Sequence, residues 1–300
     1  MKIIILPEWD GLEVKAILFS RLSLSRAMVS RLKRIKNGIL LDGENVTVRK
    51  KVSVGQTLSI YTDDTEDEVN PNILPCELPI DIIYEDDNIA VVNKPSGMPT
   101  VPTYKHRNDT LANAMVYIYK NSAKPFVFRP VNRLDRETSG VVLVAKNKIA
   151  SDVCSKDFRN HSYVKTYLAL IEGKPENDKG IISGYIKRST PSIIKRELVH
   201  EGSPSEFSET SYELLKSNGQ ISLLKLIPIT GKTHQIRVHL SSIGCPILGD
   251  GLYGKYSNII SRCALHSFSL IMKIPFSNDE KTEFTADIPE DMKTLINELL

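Results

Sequence analysis

The 300-residue sequence predicts an α+β fold: one large, mostly antiparallel mixed sheet, preceded by a small α/β unit. Three observations carry this. Apolar, β-branched runs of about four to eight residues, bounded by Gly, Pro or Asn, recur from residue 89 onward. Helical periodicity is confined to a few segments among them. No G-x-G-x-x-G follows the first strands, so a dinucleotide-binding fold has no support.

Taken in order, "LSRAMVSRLKRIKNGILLDGENV" places Met28, Leu32, Ile35 and Ile39 at helical spacing, with Arg31, Lys33, Arg34 and Lys36 on other faces. Asn37-Gly38 stops this helix, and Ile39 to Leu41 followed by Asp42-Gly43 reads as a strand entering a hairpin. "VRKKVSVGQTLSIYT" adds a turn and a last strand, which completes a small domain over residues 1–62. Residues 63–78, acidic and containing Pro71 and Pro75, read as a linker. Residues 79–300 then form the large domain. "IAVVNKPSG", "GVVLVAKN", "TYLALIEG" and "ISLLKLIPI" are its strands; "DTLANAMVYIYKN" and "THQIRVHLSSIG" are its helices. In the second helix Thr233 is the expected N-cap, Ile236, Leu240 and Ile243 the apolar stripe, and Gly244 the stop.

Composition is that of an ordinary globular chain, 41% hydrophobic and 25% charged. No apolar run approaches the ~18 residues that would span a bilayer. The apolar stretch in MKIIILPEWDG is too short for a secretory signal, so the chain is read as cytoplasmic; no membrane and no obligate protein partner are expected. Cys76, Cys154, Cys245 and Cys263 are scattered without a C-x-x-C pair. His234 and His239 would lie roughly 140° apart on a helix, so no metal site is expected. The "GKT" at 231–233 invites a phosphate-loop reading, but Leu226 stands where that loop requires glycine. The net charge of only +3 conceals a basic first domain followed by an acidic stretch from Tyr61 to Asp87 that has no base.

"RPVNRLDRETSG", residues 129–140, sets Asp135 between Arg133 and Arg136 at the mouth of an apolar strand. Either a solvated turn or a carboxylate that must stay ionised in a place water barely reaches explains it. Arg237 lies early in its helix, where the macrodipole disfavours a cation, so it calls for an anionic partner or a place in the solvated rim.

With these stretches, the chain resembles the RluA/RluD-type RNA pseudouridine synthases. "NRLDRETSG" resembles the family's H-R-L-D-x-x-T-S-G, and "DIIYEDDNIAVVNKPSGMPTVP" its opening motif. "KTYLALIEG" is similar to K-x-Y-x-A-x-x-x-G, "TGKTHQIRVHLSSIGCPILGDGLYG" to T-G-R-T-H-Q-I-R-V-H-L…G-D-x-x-Y-G, and "RCALHSFSL" to the L-H-A segment. The five follow family order from residue 81 to about 270. The basic first domain is similar to an S4 RNA-binding domain. One departure stands out: Asn132 replaces the family's histidine, while Asp135 is intact.

The resemblance implies the pseudouridine synthase fold and conversion of uridine to pseudouridine in RNA, without cofactor or metal. Asp135 matches the catalytic aspartate, and Arg237 is expected to pair with it. Tyr167 matches the tyrosine expected to stack on uracil and assist proton removal from C5. Arg133 is expected to fill the space vacated by an extruded base, with Arg136 another RNA contact. Asn132, Lys94, Lys165, Lys232 and His234 are placed on the RNA face, and Arg26, Arg31, Lys33 and Arg34 supply phosphate contacts from the first domain. Ribosomal RNA of the large subunit is the expected substrate, with transfer RNA the alternative. Two competing readings are a non-catalytic RNA-binding or assembly protein on the same scaffold, and a hydrolase using Asp135 with Glu137.

Overall fold

The computed structural model describes residues 1–61, 63–190, 192, 194–199, 206–277 and 280–300. Its first unit is built on strands β1 (Lys2–Ile4), β2 (Ile39–Leu41), β3 (Glu44–Asn45) and β4 (Thr57–Ile60), in the order β1-β4-β2-β3. Helix α1 (Val14–Ala16), which runs on as a π-helical turn to Arg21, and α2 (Arg26–Leu32) pack against it. Strand β1 lies ahead of the helices and pairs with β4. Asp42 (φ 52°) and Gly43 (φ 87°) turn the β2–β3 hairpin, both in the left-handed region that such a tight turn requires. The α-helical hydrogen bonding of α2 stops at Leu32, short of the expected Asn37-Gly38. Arg34, Ile35 and Gly38 instead donate to carbonyls three residues back. Ile39, expected on the helical stripe as well as in the strand, belongs to β2 alone.

Residues 63–78 lie along the large domain. Asp64 is buried and takes both terminal nitrogens of Arg129, at 2.7 and 2.8 Å, and Asp63 meets Lys124 at 2.7 Å. Glu68 accepts from Lys148 at 2.9 Å and from Arg31 of α2. The first unit also shares its core with Ile149 and Val153 of the large domain.

The large domain has strands β5 (Asp81–Glu85), β6 (Ile89–Lys94), β7 (Arg129–Pro130), β8 (Ser139–Ala145), β9 (Val164–Glu172), β10 (Lys179–Arg188), β11 (Arg196–Val199), β12 (Glu206–Ser217), β13 (Ile221–Pro228), β14 (Leu265–Met272) and β15 (Thr282–Thr285). They form a single sheet ordered β11-β10-β12-β13-β9-β14-β8-β6-β5, with β7 on β8 and β15 on β14. Among the described strands only β14 and β8 pair in parallel, so the expected mostly antiparallel mixed sheet is what the chain forms. Helices α3 (Leu111–Ile118), α4 (Lys148–Arg159), α5 (Gln235–Ser242) and α6 (Glu290–Leu299) complete it. Every residue of β8 is buried, as its unbroken apolar run requires of a strand covered on both faces. Among the described residues no helix is long and apolar enough to cross a membrane.

Where β8 starts, Gly140 has φ +112°, and a methyl group there would stand 2.1 Å from the Ser267 carbonyl oxygen of β14. Only glycine permits this approach. Ser267 pairs with Gly140 on one side and with Tyr167 of β9 on the other, so the three residues form one row across three strands.

Candidate active site

The loop between β7 and β8, residues 131–138, carries Asp135 and is fixed by side chains acting as backbone substitutes. Asn132 Oδ1 accepts from Leu143 N–H at 2.8 Å, and its Nδ2 donates to Val141 O at 3.2 Å. Thr100 Oγ1 donates to Leu134 O at 2.9 Å and accepts from Leu134 N–H at 3.2 Å. Ser96 Oγ donates to Glu137 O at 2.7 Å, and Gly97 N–H to Arg136 O at 2.8 Å. Behind the loop, Lys94 donates to Met98 O at 2.6 Å, Pro95 O at 2.9 Å and Arg136 O at 3.3 Å.

Two RNA-face assignments change here. Lys94 is fully buried, with its three donors saturated by carbonyls, so it clamps the loop from the rear. Burial pulls its pKa down to about 7, against the opposing attraction of Asp135 and Glu137. Asn132 borders the cavity, but its amide is committed to the β8 backbone, which a histidine could not hold through the same amide pair.

In front of the loop is a cavity of about 670 Å³. Asp135 is 32% exposed on its wall, less secluded than a carboxylate that water barely reaches. Arg237 faces it, but the expected pairing is secondary. The guanidinium gives Nε and Nη2 to the two oxygens of Asp250, both at 2.7 Å, and holds Nη1 3.5 Å from Asp135 Oδ2. This fork geometry suits arginine. Burial alone would raise the Asp250 carboxyl; the Arg237 hydrogen bond and charge, with the Leu252 and Tyr253 amides, hold it below the usual carboxylate range. Asp250 thus aims Arg237 at Asp135.

Helix α5 is entered through His234, whose left-handed backbone (φ 58°) makes no side-chain cap. The expected cap, Thr233, lies one residue outside, and Ile243 is exposed at the far end instead of continuing the buried stripe. Gly244 (φ 75°) does end the helix. The loop before α5 is tied by Gln235, whose Oε1 accepts from Thr230 Oγ1 and Lys232 N–H while Nε2 donates to Glu209 O and Thr210 Oγ1. Tyr253 Oη accepts the Arg196 N–H at 2.8 Å and lies 2.9 Å from His234 Nδ1, while His234 Nε2 stands 3.8 Å from Asp135. Burial lowers the His234 pKa, aided by Arg237 and Arg196 and opposed by Asp135 and Asp250.

Tyr167 projects from β9 into the same cavity and is 7% exposed. Burial pushes its phenol up to about 12, with the Ser267 hydrogen bond opposing and Asp135 adding, so it is a neutral phenol at physiological pH. Arg133, Lys165 and Lys232 line the cavity as well. Arg136 lies outside that lining, 2.6 Å from Glu137. Glu137 lies outside it too. On α2 and the turn after it, Arg26, Lys33 and Arg34 are exposed, whereas Arg31 is engaged by Glu68.

The sequence reading assigned no role to Asp250, Tyr253, Thr100 or Ser267. The available signal for the first two was the "GDGLYG" stretch, which contains both.

The mixed sheet thus presents one accessible carboxylate beside an arginine and a buried tyrosine, in a basic-rimmed cavity. Residues 88–242 match the family model for RNA pseudouridylate synthase. The uncharacterized RNA pseudouridine synthase YjbO of Bacillus subtilis is 32% identical over 92% of this chain and 95% of its own length. Ribosomal large subunit pseudouridine synthase D of Borreliella burgdorferi is 31% identical over 91% of this chain and 83% of its own. Among solved structures, human RNA pseudouridylate synthase domain containing 1 aligns with a TM-score of 0.56 and 30% identity, covering 70% of this chain and 83% of that one. The chain belongs to the RNA pseudouridylate synthase family and is an RNA pseudouridine synthase.

Proposed function

We propose that this enzyme converts specific uridines of large-subunit ribosomal RNA to pseudouridine, with Asp135 as the essential carboxylate. The observation that carries the reading is the Asp135 carboxylate on the cavity wall, faced by an Arg237 that Asp250 holds in place. The reaction breaks the C1′–N1 bond, turns the uracil, and joins C5 to C1′. One proton leaves C5 and one arrives at N1, so the balance requires no co-reactant.

Within that scheme Arg237 Nη1, 3.5 Å from Asp135, and His234 Nε2, 3.8 Å from it, orient the carboxylate. Tyr167, a neutral phenol, offers a ring face to the uracil and a hydroxyl to the site where the C5 proton is lost. Arg133, exposed at the cavity mouth, enters the space left by the extruded base. Lys232 and the exposed Arg26, Lys33 and Arg34 add phosphate contacts, the last three from residues 1–62 acting as an S4-like RNA-binding domain, with 63–78 the connector and 79–300 the catalytic domain. Relatives named for the large ribosomal subunit support that substrate. Such a substrate places the work in the cytoplasm.

The test maps pseudouridine in total RNA from cells with and without the gene, then repeats conversion with purified wild-type and Asp135→Asn protein. Sites that vanish from large-subunit RNA and return only with wild type support the proposal. Sites in transfer RNA alone would reassign the substrate, and wild-type turnover by folded Asp135→Asn protein would remove Asp135 from the chemistry.

A further inference from the structure

The cavity extends well past Asp135. At its other end it is bounded by Phe158, Arg159, His161, Tyr163 and Lys165. Tyr163, immediately before β9, and Lys165 and Tyr167 on it alternate, and all three line the cavity at intervals of roughly 7 Å. Phe158 and Tyr163 stack with centroids 3.9 Å apart and an interplanar angle of 22°, forming a flat apolar wall. The Lys165 ammonium lies 5.1 Å from the Tyr163 centroid and 5.7 Å from that of Phe158.

Lys165 is 9% exposed, yet among the described residues no carboxylate and no hydrogen-bond acceptor reaches its ammonium. Its pKa falls to about 8, and burial alone accounts for the fall. Burying a cation without a counter-charge is costly, and ring faces offset only part of that. The Gly231 backbone comes close to the ammonium: a methyl group added there would stand 4.0 Å from Lys165 Nζ, in ordinary van der Waals contact. An unneutralised cation opening on a cavity, flanked by exposed Arg159, is complementary to a monoanion.

Resting on the proposed uridine isomerisation, we propose that Lys165, walled by Phe158 and Tyr163, forms a subsite for the RNA phosphodiester adjoining the target nucleotide. With uracil against Tyr167, one strand step along β9 brings the chain's phosphate over Lys165, while the stacked rings bound the neighbouring nucleotide. Lys165 therefore reads no base; it fixes how deeply the target nucleotide enters.

The test uses full-length protein and a short RNA containing a uridine that the enzyme converts. Wild type, Lys165→Met and Lys165→Arg are compared by fluorescence anisotropy across salt and by conversion kinetics. Lys165→Met keeps the stem volume and removes the charge. It should bind about tenfold more weakly, with the slope of log affinity against log salt reduced by about 0.7. KM should rise by more than kcat falls, the melting temperature should not drop, and Lys165→Arg should recover most of the binding. A neutral methylphosphonate at the adjoining linkage should impose the same loss on wild type and no further loss on Lys165→Met. Unchanged affinity and slope in Lys165→Met, or additive losses with the methylphosphonate, would overturn the subsite. A wild-type enzyme that leaves every uridine unconverted overturns the isomerisation reading, and this proposal with it, whatever Lys165 does.

Discussion

Lys94 and Lys165 are the two most instructive residues to set side by side. Both belong to strands of the large sheet, both are buried (0% and 9% exposed), and burial lowers the pKa of both. The difference lies in what surrounds each ammonium. Lys94 points behind the Asp135 loop and gives its donors to three carbonyls. Lys165 points into the cavity and gives its donors to none among the described residues. Seclusion alone does not tell a structural cation from a binding one. Hydrogen-bond saturation does, because a satisfied ammonium has already recovered its lost hydration and an unsatisfied one has not.

The contrast can be broken most decisively at Lys94. Lys94→Met strands the Pro95, Met98 and Arg136 carbonyls around a severed clamp, and should destabilise the protein by roughly 3–5 kcal/mol. Denaturant unfolding measures this; a loss under about 1 kcal/mol would show that the clamp is dispensable. Next in size is a difference in pH response between wild type and Lys165→Met. Below about 8 both folded and unfolded chains hold the Lys165 proton, and wild type carries the full burial penalty. Between about 8 and the ordinary lysine value of 10.5 only the unfolded chain holds it, so wild type should gain stability relative to the variant, by about 3 kcal/mol across that window. A flat difference from pH 7 to 10.5 would mean that Lys165 has a counter-ion after all.

Asp250→Asn extends the comparison to a third buried cation, Arg237. It removes the charge that aims the guanidinium while keeping the side chain's shape, and should slow single-turnover conversion by roughly a hundredfold. Conversion at the wild-type rate would mean that Nη1 needs no such alignment. The smallest effect belongs to Arg31→Ala. The Arg31–Glu68 pair lies at the surface, with the Arg31 side chain 49% exposed, and should contribute between about 0 and 1 kcal/mol by thermal unfolding.

How far these roles could be read from sequence depended on whether they were local. The buried strand after Asp135 was legible because an unbroken apolar run leaves few alternatives, and Gly244 because a left-handed helix stop favours glycine. The turn at Asp42-Gly43 was legible for the same kind of reason. Lys94 and Lys165 looked alike because each is a single lysine in or beside an apolar strand; which way each points is fixed by alternation relative to a sheet that forms later. The Arg237–Asp250 fork was out of reach because it depends on residues 245–254 folding back beneath α5, something no periodicity encodes. Asp135 and Arg237 stand out in the sequence as an acid and a cation expected to pair, and the structure sets Arg237 Nη1 3.5 Å from Asp135 Oδ2; that Arg237 gives its stronger bonds to Asp250 was not legible. The cap expected at Thr233 does not form, because Gln235 ties down the loop instead.

The row Gly140–Ser267–Tyr167 has a mechanical consequence. Asp135 is attached to the near end of that row through the loop preceding β8, and the Tyr167 phenol projects from the far end. The gap between acid and ring is therefore gauged by how closely two main chains touch at a position with no side chain. Adding one carbon at residue 140 would act as a wedge, driving the Asp135 side of the cavity and the Tyr167 side apart.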